Sequence, residues 1–124
     1  MQSSRSEPAV KELCSKILTP TDVEVRFSFP TATMRQHFKL EGGTRLDFQV
    51  RDKYNKDWTF RLYTRNKDSH PKPVLTRGWI DFVKKMGLRV GDKVIFLVHG
   101  NPDQLGILVQ RNIMLFGHEH WADL

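Results

Sequence analysis

The sequence predicts a mainly β (α+β) domain: seven short strands in a curved antiparallel sheet or partly open barrel, with two short helices covering its ends. Three observations carry this reading. Residues 45–51 and 58–63 alternate apolar and polar side chains, so that each strand turns one face to a core and the other to water. Helical spacing is confined to short segments, the clearest being Trp79, Ile80, Phe82, Val83 and Met86. The long crossover helices of a doubly wound parallel sheet are therefore missing. A chain of 124 residues with 39% hydrophobic and 27% charged side chains has the composition of one soluble globular domain.

In chain order, residues 1–9 are polar and read as a flexible leader. The domain proper is expected at 10–112, followed by an aromatic tail at 113–124 packed on the barrel. Val10, Leu13, Ile17 and Leu18 recur among polar residues in a pattern open to a short helix or a strand. Thr19-Pro20-Thr21-Asp22 is turn chemistry, because proline removes a donor while hydroxyls and carboxylate bond the local backbone. Residues 25–29 alternate as a strand until Pro30 stops them. Thr31 is placed to cap a short helix with Ala32 and Phe38 on its apolar side, ended by Glu41-Gly42-Gly43. The polar turn 52–57 joins the two alternating runs as an antiparallel hairpin, and residues 64–73 form an exposed loop. The helix at 79–86 stops at Gly87. Gly91-Asp92 introduces a strand at 93–98, and a final strand is expected near 105–109.

The formal net charge is +6, and its location is more telling than its size. Residues 61–89 hold 8 basic and 2 acidic side chains, against a net of +2 before them and −2 after. Clustered positive charge suits phosphate neutralisation, with an ordinary solvated face as the competing reading. The longest apolar run, residues 94–98, is too short to span a bilayer, and no signal peptide is visible. A single cysteine, Cys14, precludes an internal disulfide framework and suits a reduced, intracellular setting. Among apolar neighbours it reads as a small hydrophobe and not a nucleophile. His118 and His120 have the spacing of two ligands on one side of a strand but lack a third, so no metal is expected. There is no phosphate-binding glycine loop, nucleotide fingerprint, nucleophile elbow or marked carboxylate pair. No enzyme and no cofactor are expected.

Two loops concentrate groups suited to nucleic acid. Lys16, Thr19, Thr21, Asp22 and Arg26 bracket the first turn, and Arg65, Asn66, Lys67, Ser69, His70 and Lys72 populate the long loop. Arginine offers a bidentate fork to guanine and asparagine a bidentate pair to adenine, while lysines and hydroxyls suit phosphates.

Four stretches then resemble the plant B3 DNA-binding domain family, over about residues 13–110. They are Lys16-Ile17-Leu18-Thr19-Pro20-Thr21-Asp22-Val23, Trp58-Thr59-Phe60-Arg61, Leu75-Thr76-Arg77-Gly78-Trp79 with Phe82-Val83, and Leu88-Arg89-Val90-Gly91-Asp92-Lys93-Val94-Ile95-Phe96. The resemblance implies a seven-stranded open antiparallel β-pseudobarrel whose two arms, 19–26 and 63–73, enter the major groove of double-stranded DNA. It implies sequence-specific binding in plant transcriptional regulation, in the nucleus. Carried over, Arg65 and Asn66, then Arg26, are the base readers, and Lys16, Arg61, Lys67 and Lys72 the phosphate contacts. Trp58, Phe60, Trp79, Phe82 and Phe96 fall in the core. The first arm is short and carries Glu24, so no family target sequence is transferred. The alternative is a divergent protein-interaction module with weak or nonspecific DNA binding, using the tail with Phe116 and Trp121 for a protein partner or self-association.

Overall fold

A computed structural model of the protein describes residues 10–30, 45–64, 73–99 and 104–124. The expected leader, the helix after Thr31 and most of the long loop lie outside the described residues. Within them, eight strands form one sheet. Strand β1 (Lys11–Ile17) settles the helix-or-strand ambiguity of the first segment. It is followed by a five-residue helix α1 (Pro20–Glu24), strand β2 (Phe27–Ser28) and the paired strands β3 (Arg45–Arg51) and β4 (Asp57–Tyr63). Then come β5 (Val74–Leu75), helix α2 (Trp79–Met86), β6 (Lys93–Val98), β7 (Leu105–Leu115) and β8 (His118–Asp123).

Seven strands run in the order β1-β6-β7-β3-β4-β5-β2, and β8 is added to β7. Their pairings are antiparallel except for one parallel step, Arg51 opposite Gly106, where β3 meets β7. The register of β3 and β4 follows their alternation: Phe48 lies opposite Phe60, and Val50 opposite Trp58. Period-two patterning fixes that register, because a one-residue slip would turn the whole apolar set to water. The result is mostly β, a curled and partly open barrel with two described helices.

The apolar faces converge on an aromatic cluster. Phe27, Phe60, Trp79, Phe82 and Phe96 are fully buried, with Phe27 and Trp79 ring centres 4.8 Å apart and Phe60 and Phe82 5.6 Å apart. Each such ring removes about 150–250 Å² from water, which makes this cluster the main source of stability. Trp58 is half-buried and meets Phe82 edge to face. Helix α2 contributes Trp79, Phe82 and Val83 from one side and ends at Gly87, whose φ of 64° suits its stop. Gly78, at the other end, has a φ of 87°, and a Cβ there would lie 2.1 Å from the Thr59 carbonyl oxygen. Only glycine admits this close approach of α2 to β4.

Two elements differ from the sequence reading. The turn at Thr19-Pro20-Thr21-Asp22 continues into helix α1, because proline at the first helical position pre-sets φ and Thr19 caps the amides behind it. Strand β7 runs through the expected domain boundary at residue 112 and turns at Phe116 and Gly117 into β8. Residues 113–124 are thus part of a β-hairpin. Leu124 packs against the core and Trp121 is half-buried under Lys93, whereas Phe116 is 98% exposed.

Candidate nucleic-acid interface

The first arm is assembled around one carboxylate. Asp22, in the middle of α1, is fully buried. Its Oδ2 accepts the amide and the hydroxyl of Thr19 at 2.8 and 2.9 Å, while its own amide donates to Thr19 Oγ1 at 3.3 Å. This reciprocal arrangement is a capping box, which satisfies the free amides of a helix too short to persist alone. Oδ1 accepts Lys16 Nζ at 2.9 Å and the Ser28 amide at 3.1 Å. The carbonyl of Asp22 takes the Trp79 indole N–H at 2.6 Å. One residue therefore ties the end of β1, the cap of α1, the end of β2 and the core helix α2 together.

The electrostatics follow. Burial by itself pushes the Asp22 carboxyl up, but the Thr19 amide, Lys16, the Ser28 amide and the Thr19 hydroxyl outweigh it and hold it below the usual carboxylate value. An unfolded aspartate titrates near about 3.9. The stabilisation from a depressed native value is present above that pH and is lost as pH falls through the native value. Asp52 behaves alike at the β3–β4 turn, where burial is outweighed by the Trp58 indole and the amides of Lys56 and Tyr54.

The second arm leaves β4 after Tyr63 and returns at Val74, and these two residues pair directly. Val74 also pairs with Ser28, and the Phe29 amide donates to the Pro73 carbonyl at 2.9 Å. Since Ser28 is bonded to Asp22 and to Lys16, the end of the first arm and the root of the second sit on adjacent strands.

The structure sorts the expected site residues. Thr21 and Arg26 are exposed, and among the described residues their side chains make no hydrogen bond or ion pair. Thr19 is exposed but its hydroxyl works in the cap. Lys16 is half-buried, bonded to Asp22 and the Ser28 carbonyl, with its ammonium 5.0 Å from the Phe27 ring centre. Asp22 must be corrected from a contact to a support, because a fully buried carboxylate has no surface to offer a duplex. Arg61 is likewise not a free cation: its guanidinium forks onto Asp47 at 2.8 and 3.2 Å, which holds the Asp47 carboxyl low. Arg65, Asn66, Lys67, Ser69, His70 and Lys72 lie outside the described residues.

The supporting role of Asp22 was visible in the spacing of Thr19, Pro20 and Asp22, a cap signature that also reads as a turn. Beside Arg61, a groove of about 480 Å³ is lined by Asp47, Asp57 and Asp81 as well as Arg61 and Arg77. Its three carboxylates make it a poor seat for phosphate. Among the described residues no three His, Cys, Asp or Glu side chains are grouped to hold a metal ion, and no helix is long and apolar enough to cross a membrane.

Comparison with known proteins gives this geometry its family. The B3 DNA binding domain profile matches residues 14–112. The B3 domain-containing transcription factor NGA4 of Arabidopsis thaliana is 37% identical over 112 residues, covering 86% of this chain and 32% of that protein. The chain therefore spans about a third of that relative's length. The Arabidopsis FUS3-DNA complex superposes with a TM-score of 0.70 at 24% identity, covering 78% of this chain and 94% of that one. The Arabidopsis thaliana LEC2-DNA complex gives a TM-score of 0.68 at 21% identity, covering 84% and 96%. The fold is shared with both, and the profile spans most of the sequence: the chain belongs to the B3 DNA-binding domain family.

Proposed function

We propose that this domain binds double-stranded DNA sequence-specifically through its two arms in the major groove, and that it serves transcriptional regulation in a plant nucleus. The observation that carries this reading is the junction at Ser28, which joins an arm braced by Asp22 to the root of a second, basic arm. A rigid base for two adjacent loops is what direct readout needs, since bidentate contacts tolerate little displacement. Family membership and the basic excess in residues 61–89 support it.

In this reading Arg26, Arg65 and Asn66 contact base edges, and Thr21, Lys67, Ser69 and Lys72 contact phosphates. Lys16, Thr19 and Asp22 hold the first arm in shape. The domain acts by binding and carries out no reaction of its own. Selection of bound duplexes from a random pool, repeated at two salt concentrations, tests this. An enriched motif that persists as affinity falls with salt is the expected outcome, while binding without enrichment contradicts specific readout.

A further inference from the structure

Helix α1 ends at Glu24, so its last carbonyls have no further helical turn to supply amides. The Val25 and Arg26 amides both donate to the Thr21 carbonyl, at 2.9 and 3.0 Å. The Asp22 carbonyl is left to a donor from outside the helix, and on a residue fully withdrawn from water an unmet carbonyl is destabilising. Trp79, 57 residues further on, supplies that donor: its indole N–H reaches the Asp22 oxygen at 2.6 Å. The same indole lies 4.8 Å, centre to centre, from the ring of Phe27, the first residue of β2. Trp79 therefore grips both ends of one short stretch. Between the buried Asp22 and Phe27, residues 24–26 are exposed, and the last of them is Arg26.

We propose that Trp79 is a positioning residue for DNA readout: its N–H and its ring fix the span from Asp22 to Phe27, and so the place from which Arg26 meets the duplex. The inference rests on the two-arm reading above. Trp79 is fully buried, so it acts through Asp22 and Phe27 and not by contact with DNA. Its own place is set from β4. Gly78 seats the start of α2 against the Thr59 carbonyl, and the Phe60 and Phe82 rings close on the indole, each with its centre 5.8 Å away. A donor held this firmly carries the geometry of the core to an arm that ends in a two-residue strand. Core packing alone does not ask for an N–H, since phenylalanine fills much of the same space without one.

Two variants separate the donor from the ring. Trp79→benzothienylalanine keeps the ring shape and puts sulfur in place of the N–H, while Trp79→Phe removes the donor and part of the ring. Val50→Ala, a core truncation on β3, controls for lost stability alone. In the chain without DNA, both Trp79 variants are expected to quicken amide hydrogen exchange at Val25 and Arg26 about tenfold relative to β6 and β7. Binding is compared at a temperature where near-ultraviolet circular dichroism shows every variant folded. Both Trp79 variants are expected to lose about tenfold in preference for a selected duplex over a scrambled one, with affinity for the scrambled duplex unchanged. Val50→Ala keeps the wild-type preference. Unchanged exchange at Val25 and Arg26 in the benzothienylalanine variant overturns the proposal. So does faster exchange with full preference retained, or an equal loss of preference in Val50→Ala. A wild type that prefers no duplex contradicts the two-arm reading and takes this inference with it; the exchange measurement, which needs no DNA, tells that failure from a failure of the brace.

Discussion

The first arm and the C-terminal hairpin are both anchored by an aspartate withdrawn from water, yet the two anchors hold different things. Asp22 braces a segment with almost no ladder of its own: a five-residue helix and a two-residue strand. Asp92, 2% exposed, accepts the Arg111 guanidinium at 2.9 Å on each oxygen and the Arg89 amide at 2.8 Å. Arg111 also donates to the Gly87 carbonyl at 3.0 Å. This second network clamps β7 where it passes the start of β6, and beyond it the hairpin is carried by its own cross-strand bonds. Side-chain bonds thus replace a ladder in the arm and only supplement one in the hairpin. The arm is the more fragile of the two.

The comparison breaks most readily at Asp22. Asp22→Ala strands Lys16 and removes the cap, so chemical denaturation is expected to show a loss of about 3–5 kcal/mol. Asp22→Asn gives a subtler check: the wild type loses stability as pH falls below about 4, and the variant's acid limb is shallower because that depressed carboxyl is gone. Arg111→Ala leaves the buried Asp92 carboxylate with the Arg89 amide but without its cation, and a loss of about 2–3 kcal/mol is expected with the first arm's chemical shifts unchanged. Arg26→Ala leaves the melting temperature unchanged and weakens the selected duplex by about 1–2 kcal/mol in fluorescence anisotropy. Phe116→Asn is the smallest. Its exposed ring contributes no core burial and its φ of 51° suits asparagine better. A gain of a few tenths to about 1 kcal/mol is expected in dilute thermal melts.

What the sequence made legible follows the same division. Strands β3 and β4 are readable because alternation and burial share a period, and α2 because its apolar stripe ends on Gly87. The core aromatics were readable for the same reason. Helix α1 was not separable from a turn, since Thr19-Pro20-Thr21-Asp22 satisfies both chemistries and only tertiary bonds to Lys16, Ser28 and Trp79 decide between them. Arg61 looked like a free cation because its partner Asp47 lies 14 residues away, on a neighbouring strand. Strand β8 had no pattern to find: His118-Glu119-His120 offers no apolar face, and the strand exists through its ladder to β7 and the Lys93–Trp121 contact.

The central claim is that DNA is read by the braced arms and not by the hairpin. Amide chemical-shift mapping of the isotope-labelled chain during titration with a selected duplex tests it most directly. The account predicts shifts concentrated in residues 19–28 and 63–74, with residues 112–121 unmoved. Shifts centred on the hairpin, with residues 19–26 unchanged, would contradict it.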